Sequence, residues 1–398
     1  MLKKPKVVAS IFGIISLIII SLYSVTENYK HFRKISNAFV IDCTIFDSKM
    51  IPLIHNSSNL CHFFKSGEVA EFIVEDGQGF IILLDENGIQ KWKRPYIVHH
   101  IMRASHDEKT LYFLSLEKKF IRGVEAKFDK IIALDISTGN ELSSWNVFDY
   151  TDQLEAEIKK YPPLRICLPY RLMNKDKGEI NNEYTHFNSI NLITNESKEF
   201  AKDDLIVNSG RGFVIFFDRD LKPIRQLFWI NLMWDVNVHD VQLTKDGNLL
   251  MYKNWDFNER FSSLEIVSLK NNEKLWKYNK DPEGREFKAE GFGSVQLLDD
   301  GSFLYSDMEK GGHFTIVGKD GKMIIDYYHP ERDPETNKPQ RFHSVRMVKY
   351  EDLSDEVQIL IDKNPDTFLF KHYFKLLKIA HHFLFYLFRF YKTFPFSS

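Results

Sequence analysis

The stretch "HDVQLTKDGNLLMY" at residues 239–252, followed by "SSLEIVSLKNNEKLWKY" at 262–278, decides the fold. Its first half is a short alternating strand, a polar turn and a second strand. The second half is another pair of strands around a tight turn, ending on an aromatic. The first half returns as "GSVQLLDDGSFLYS" from 293, "HSVRMVKYEDLSDEVQILID" from 343, "HIMRASHDEKTLYFL" from 100 and, more weakly, "NSINLITNESKEFAKDDLIV" from 188. The second half returns as "FDKIIALDISTGNELSSW" from 128, "GFVIFFDRDLKPIRQLFW" from 212 and "FTIVGKDGKMIIDYY" from 314.

Starts at 100, 188, 239, 293 and 343 are separated by 88, 51, 54 and 50 residues. A period of about 50 residues holding four antiparallel strands is that of a propeller blade. The expected class is therefore an all-β propeller over residues 37–362, with an insertion near 154–183 taking up the long gap. "GFIILLDENGIQKW" from 79 reads as the second half of a blade, and the copy at 343 as a first half, so the two are expected to join and leave no free sheet edge. That makes at least five blades, and six if residues 37–70 or 150–186 supply another; six is the expectation.

Composition agrees with a folded chain: 398 residues, 43% apolar and 14% aromatic, are enough for a large core. Lys plus Arg total 53 against 55 acids, and this balance gives no reason to expect a nucleic-acid partner. "VVASIFGIISLIIISLYSV", residues 7–25, is long enough to cross a bilayer, and Lys3, Lys4 and Lys6 precede it. Residues 1–36 are thus read as cytoplasmic tail, signal anchor and linker, with the body on the exported, periplasmic or extracytoplasmic, side. Cleavage as a signal peptide is the other reading, although no A-x-A site follows the apolar run.

Residues 363–398 carry Lys371, Lys375, Lys378, His382 and Arg389 at helical spacing among aromatic and aliphatic residues. This pattern suits an interfacial membrane helix, or a helix packed on the propeller. Cys43 and Cys61 can pair in an oxidising compartment, leaving Cys167 free; three buried thiols is the alternative. No C-x-x-C, G-x-x-x-x-G-K-[ST], G-x-S-x-G or H-E-x-x-H occurs, which disfavours zinc, nucleotide hydrolysis and α/β-hydrolase chemistry. Loops such as "DISTGN" and "DENG" leave calcium open, though turn chemistry explains their residues.

In a blade, the first strand starts at the rim to which the second strand returns. His100, His239 and His343 head first strands and are expected on one rim, with Arg260 and His313 in matching loops of successive blades. Histidines and an arginine converging there form a candidate anion site, in which arginine supplies a planar donor fork and neutral imidazole a nucleophile or base.

The segment 239–278, with Asn254, Arg260, Ser262 and Ser263, resembles the bacterial aryl-sulfate sulfotransferases, and "VHHIMRAS" resembles that family's H-H-D-I element. The resemblance covers roughly residues 79–362. It implies a six-bladed propeller that moves a sulfuryl group from a phenolic sulfate to another hydroxyl acceptor through a sulfohistidine, with no nucleotide donor and no cofactor. On the matching positions, His100 and His239 bind the sulfate and Arg260 steadies developing charge. His313 is the candidate nucleophile by blade position, and His343 the reserve. Asn254, His99 and His186 complete the candidate substrate-binding set, and no metal ligand is assigned. Two positions depart from the family: Ile101 stands where it has aspartate, and Asn254 lacks the usual aspartate before and glycine after it. The competing expectation is a membrane-anchored, non-catalytic propeller whose rim binds envelope proteins or glycans.

Overall fold

The computed structural model describes residues 37–46, 52–55, 60–121, 123–158, 183–210, 213–229, 238–254, 261–280, 284, 289, 293–307, 313–328, 345–349, 352–355 and 357–358. Its strands form six four-stranded antiparallel sheets, a six-bladed propeller. β1 (Asn37–Ile41), β2 (Thr44–Phe46) and β3 (Pro52–His55) share a sheet with the last strand, β24 (Val345–Lys349), in the order β24-β1-β2-β3. Residues 37–39 of β1, all of β2 and β3, and residues 348–349 of β24 belong to one compact unit of the chain.

The other compact unit spans 56–347 together with 40–43 and holds five blades, each built from consecutive strands. They are β4 (Cys61–Phe63), β5 (Val69–Glu75), β6 (Gln78–Leu84) and β7 (Gln90–Arg94); β8 (Val98–Ala104), β9 (Thr110–Ile121), β10 (Val124–Asp135) and β11 (Glu141–Asn146); β12 (Phe187–Leu192), β13 (Leu205–Ser209), β14 (Phe213–Phe217) and β15 (Pro223–Trp229); β16 (Val238–Leu243), β17 (Leu249–Lys253), β18 (Ser263–Val267) and β19 (Lys274–Tyr278); and β20 (Ser294–Leu297), β21 (Phe303–Asp307), β22 (His313–Val317) and β23 (Met323–Tyr328).

The expected closure is corrected. "GFIILL" is β6, the third strand of a blade whose first two strands are β4 and β5, so it does not pair with the copy at 343. Among the described residues that copy supplies one strand, β24, which pairs with β1 in a sheet completed by β2 and β3. Among the described residues the long gap has two sources. β9 and β10 are 12 residues each, where the other strands of this unit have 3 to 7, and a 3-10 turn (Val147–Tyr150) and helix α1 (Thr151–Ile158) follow β11.

Middle strands read as unbroken apolar runs because both of their faces are covered by neighbouring blades. On β10, Ile131 and Ala133 pack toward β12–β14, whereas Ile132 and Leu134 pack toward β5–β8. β14 divides in the same way, Phe213, Ile215 and Phe217 on one side and Val214 and Phe216 on the other. Burying a large apolar side chain contributes about 1.5–3 kcal/mol, so these alternating inter-blade layers dominate the stability. Turns follow the Asp/Gly chemistry read from sequence: Asp135 accepts from the Thr138 N–H and from the Ser137 and Thr138 hydroxyls. At this turn Gly139 has φ +68°, and a Cβ on it would lie 2.7 Å from the Trp92 ring, so glycine is required twice over.

Cys43 and Cys61 are disulfide-bonded, with Cα atoms 5.6 Å apart, which joins the turn after β1 to the start of β4. Among the described residues no helix is long and apolar enough to cross a membrane. The anchor at 7–25, the helix at 363–398 and Cys167 lie outside the described residues.

Candidate functional site

Four histidines from three blades gather at the starts of β8, β12 and β16. The His100 ring lies 4.8 Å from His99, 5.3 Å from His186 and 6.2 Å from His239, all edge-on. The backbone is bent to allow this. β8 bulges between His99 and Met102, and β16 between His239 and Gln242. His100 has φ +66°, His186 +52° and Asp240 +51°, left-handed values that cost a non-glycine residue on the order of 1 kcal/mol or more. Strain of this kind persists where surrounding contacts over-determine it.

Two of the flanking imidazoles, His239 and His186, have a hydrogen-bonded side-chain partner, and the third, His99, has a carboxylate close by. Asn254 Nδ2 donates to the Ala289 carbonyl at 3.2 Å, which turns Asn254 Oδ1 toward His239 Nδ1, 2.5 Å away. An amide oxygen only accepts, so His239 carries its proton on Nδ1 and its lone pair on Nε2. Burial pulls the His239 pKa down to about 4, the Asn254 bond opposing only part of that pull, so the ring is neutral at pH 7. His186 Nδ1 is paired with Glu183, and that bond holds the Glu183 carboxyl below its usual range against the opposing effect of burial. His99 Nε2 lies 3.1 Å from Asp129 Oδ1, close but not aligned as a hydrogen bond. Asp129 is fully buried and also accepts from the Phe187 N–H and the Thr185 hydroxyl, fastening the segment before β12 to β10.

The structure thus brings together His99, His100, His186, His239 and Asn254. Asn254 touches His239 and the protein backbone, so it is a positioning residue. Ser262, which shares the Ala289 backbone with it, is likewise structural. His313 is placed differently from the expectation. The pairing Asp307↔His313 is equivalent to Lys253↔Ser263, so His313 heads a strand and matches Ser263, three positions beyond Arg260. Its ring is 1% exposed, with Nε2 held by Asp326 at 2.5 Å and by the Thr315 hydroxyl at 3.2 Å. Arg260 and His343 lie outside the described residues.

Sequence reasoning missed Glu183 and Asp129. Glu183 stands three residues before His186, and Asp129 interrupts the apolar run of β10, which is the signal each left. Among the described residues no group of three or more His, Cys, Asp or Glu is arranged to hold a metal ion. The arrangement offers the neutral His239 ring among other imidazoles whose nitrogens can accept or donate hydrogen bonds, a surface suited to an anionic ester.

No protein-family model and no curated protein matches the sequence. Among solved structures, a protein of unknown function from Bacteroides caccae is similar at 10% identity and TM-score 0.47, over 79% of this chain and 99% of that one. A europium-containing methanol dehydrogenase is similar at 11% identity and TM-score 0.38, over 73% of this chain and 67% of that one. Neither likeness bears on the histidine site.

Proposed function

We propose that this chain transfers a sulfuryl group from an aryl sulfate to a phenolic or other hydroxyl acceptor through a sulfohistidine at His239. The observation that carries the reading is the Asn254 amide, anchored on Ala289, which presents His239 as a neutral ring with its lone pair on Nε2 among three other imidazoles. Nε2 attacks sulfur as the bond to the aryl oxygen breaks and a phenolate leaves. The ring then carries positive charge, and Nδ1–H donates more strongly to the Asn254 oxygen. In the second half the acceptor hydroxyl attacks sulfur, the N–S bond breaks, and the His186–Glu183 pair takes the hydroxyl proton. His99 and His100 bind sulfate oxygens, and Arg260 is assigned to the same task by the family resemblance.

His239 is favoured over His313 for the attack because its ring lies 6.2 Å from that of His100, whereas the His313 ring is held through Nε2 by Asp326 and Thr315 inside its own blade. An exported body behind an N-terminal anchor belongs to the same reading, supported by the Cys43–Cys61 disulfide, since such bonds persist in oxidising compartments. The departures at Ile101 and around Asn254 favour a second reading, an anchored propeller that binds anionic glycans or envelope proteins without transfer. Incubating the protein with an aryl sulfate and a phenol, then mapping modified peptides by mass spectrometry, separates the two. Sulfated acceptor together with a sulfated His239 peptide is expected; absence of both leaves the binding reading.

A further inference from the structure

The same blades hold a second polar cluster, which the transfer chemistry does not use. Arg103 on β8, Asn191 on β12, Asp240 on β16 and Arg346 on β24 meet through side chains that link one first strand to the next. Asp240 is almost fully committed. Arg346 Nη2 reaches its carboxylate at 2.6 Å, Asn191 Nδ2 donates to Oδ1 at 2.8 Å, and the Val295 N–H donates to Oδ2 at 2.8 Å. Arg346 is also committed, its Nη1 donating to the Val295 carbonyl at 2.9 Å.

Arg103 is left short. Its Nε donates to Asn191 Oδ1 at 3.3 Å and its Nη1 to the Met102 carbonyl at 3.1 Å, but its buried Nη2 has no hydrogen-bond partner among the described residues. Two guanidinium groups therefore share one carboxylate. Nearby His62 adds no counter-charge: burial first, and Arg103 second, hold its pKa down at about 3, so it is neutral. Burial and then Arg346 pull the Arg103 pKa to about 9, with Asp240 opposing, so the guanidinium stays charged at pH 7. A partly buried cation whose buried donor is idle is costly unless a counter-charge reaches it. A water molecule would satisfy the hydrogen bond and leave the charge.

We propose that Arg103 Nη2 and the adjacent face of Arg346 bind one small monovalent inorganic anion of the halide class. The excess at the cluster is a single positive charge, which sets the ligand's valence. A dianion such as sulfate would add repulsion against Asp240, and its size and charge suit the histidine rim instead. The anion neutralises the surplus guanidinium and ties the first strands β8 and β16 together below that rim.

Crystals of the full chain grown in sodium bromide, with data collected at the bromine absorption edge, test this directly. The expected result is an anomalous peak within hydrogen-bonding distance of Arg103 Nη2, absent in Arg103→Gln. In solution, the wild-type Tm is expected to rise with bromide at constant ionic strength against gluconate, while that of Arg103→Gln does not respond. A wild-type map with only water, or with no density, at Nη2 overturns the proposal without needing any variant to fold. A bromide peak unchanged in Arg103→Gln overturns it as well.

Discussion

His239 and His313 are both buried histidines near strand starts, and they differ in what holds them. His239 heads the first strand of its blade and is oriented by a neutral amide that leaves the lone pair on Nε2. His313 heads a third strand, and the partner of its Nε2 is the Asp326 carboxylate across the same sheet. The first is held at Nδ1 with its ring 6.2 Å from that of His100, whereas the second is held at Nε2 by a carboxylate of its own blade. Burial alone therefore does not mark a reactive histidine; the identity of the partner and the nitrogen it occupies decide what chemistry remains.

The largest expected effect breaks the pair apart. His239→Ala is expected to lower sulfuryl transfer by at least about 10³-fold and to remove the sulfated peptide, as loss of a nucleophile does. His313→Ala is expected to cost about 1–3 kcal/mol of stability, because it leaves the Asp326 carboxylate without its buried partner, while turnover of the folded fraction stays within about tenfold of wild type. Steady-state rates and urea denaturation of both variants check this. Transfer lost in His313→Ala and kept in His239→Ala would reverse the assignment.

The next effect is in acid. His239 has a folded pKa of about 4, against 6.5 for the free side chain, so between these values the unfolded chain binds the extra proton. Stability is therefore expected to fall as pH drops from 6.5 toward 4, by up to about 3 kcal/mol from this group. His62, lowered to about 3, acts with the same sign, so His239→Gln should reduce the slope and not abolish it. Urea midpoints measured from pH 7 to pH 4 give the difference. Equal slopes in wild type and variant would show that His239 is not held neutral by burial.

Much of the fold is legible in sequence because the turns within the blades keep Asp/Gly chemistry at a steady period, and β16–β19 and β20–β23 retain it nearly intact. The first sheet is not legible in the same way. β1, β2 and β3 have only five, three and four residues, and a single strand from the far end of the chain completes them, so no repeat is visible in either part. At the site, the histidines announce themselves by residue type and strand position. Their partners do not, since Asp129 reaches His99 across the blade and Asn254 is turned by the backbone of Ala289, a pairing that tertiary packing sets. The loop position expected for His313 differs from the observed one for a related reason. Counting residues along the chain gives the loop, but only the ladder Asp307↔His313 shows that the loop has ended and the strand begun.

The smallest effect sharpens the comparison most. Asp326→Asn gives His313 the kind of partner that His239 already has, an amide of nearly the same shape, without opening a cavity. The bond to Nε2 survives in neutral form, and Thr315 keeps a hydrogen-bonding neighbour. A charge-assisted bond exchanged for a neutral one costs about 1 kcal/mol, so a small shift of the urea midpoint is expected. Transfer should not change, because on this reading nothing that happens at Nε2 of His313 reaches the rim. A tenfold or greater loss of transfer with the fold intact would mean that the Asp326–His313 pair acts on the reaction, and that blade position was a better guide to the nucleophile than hydrogen bonding.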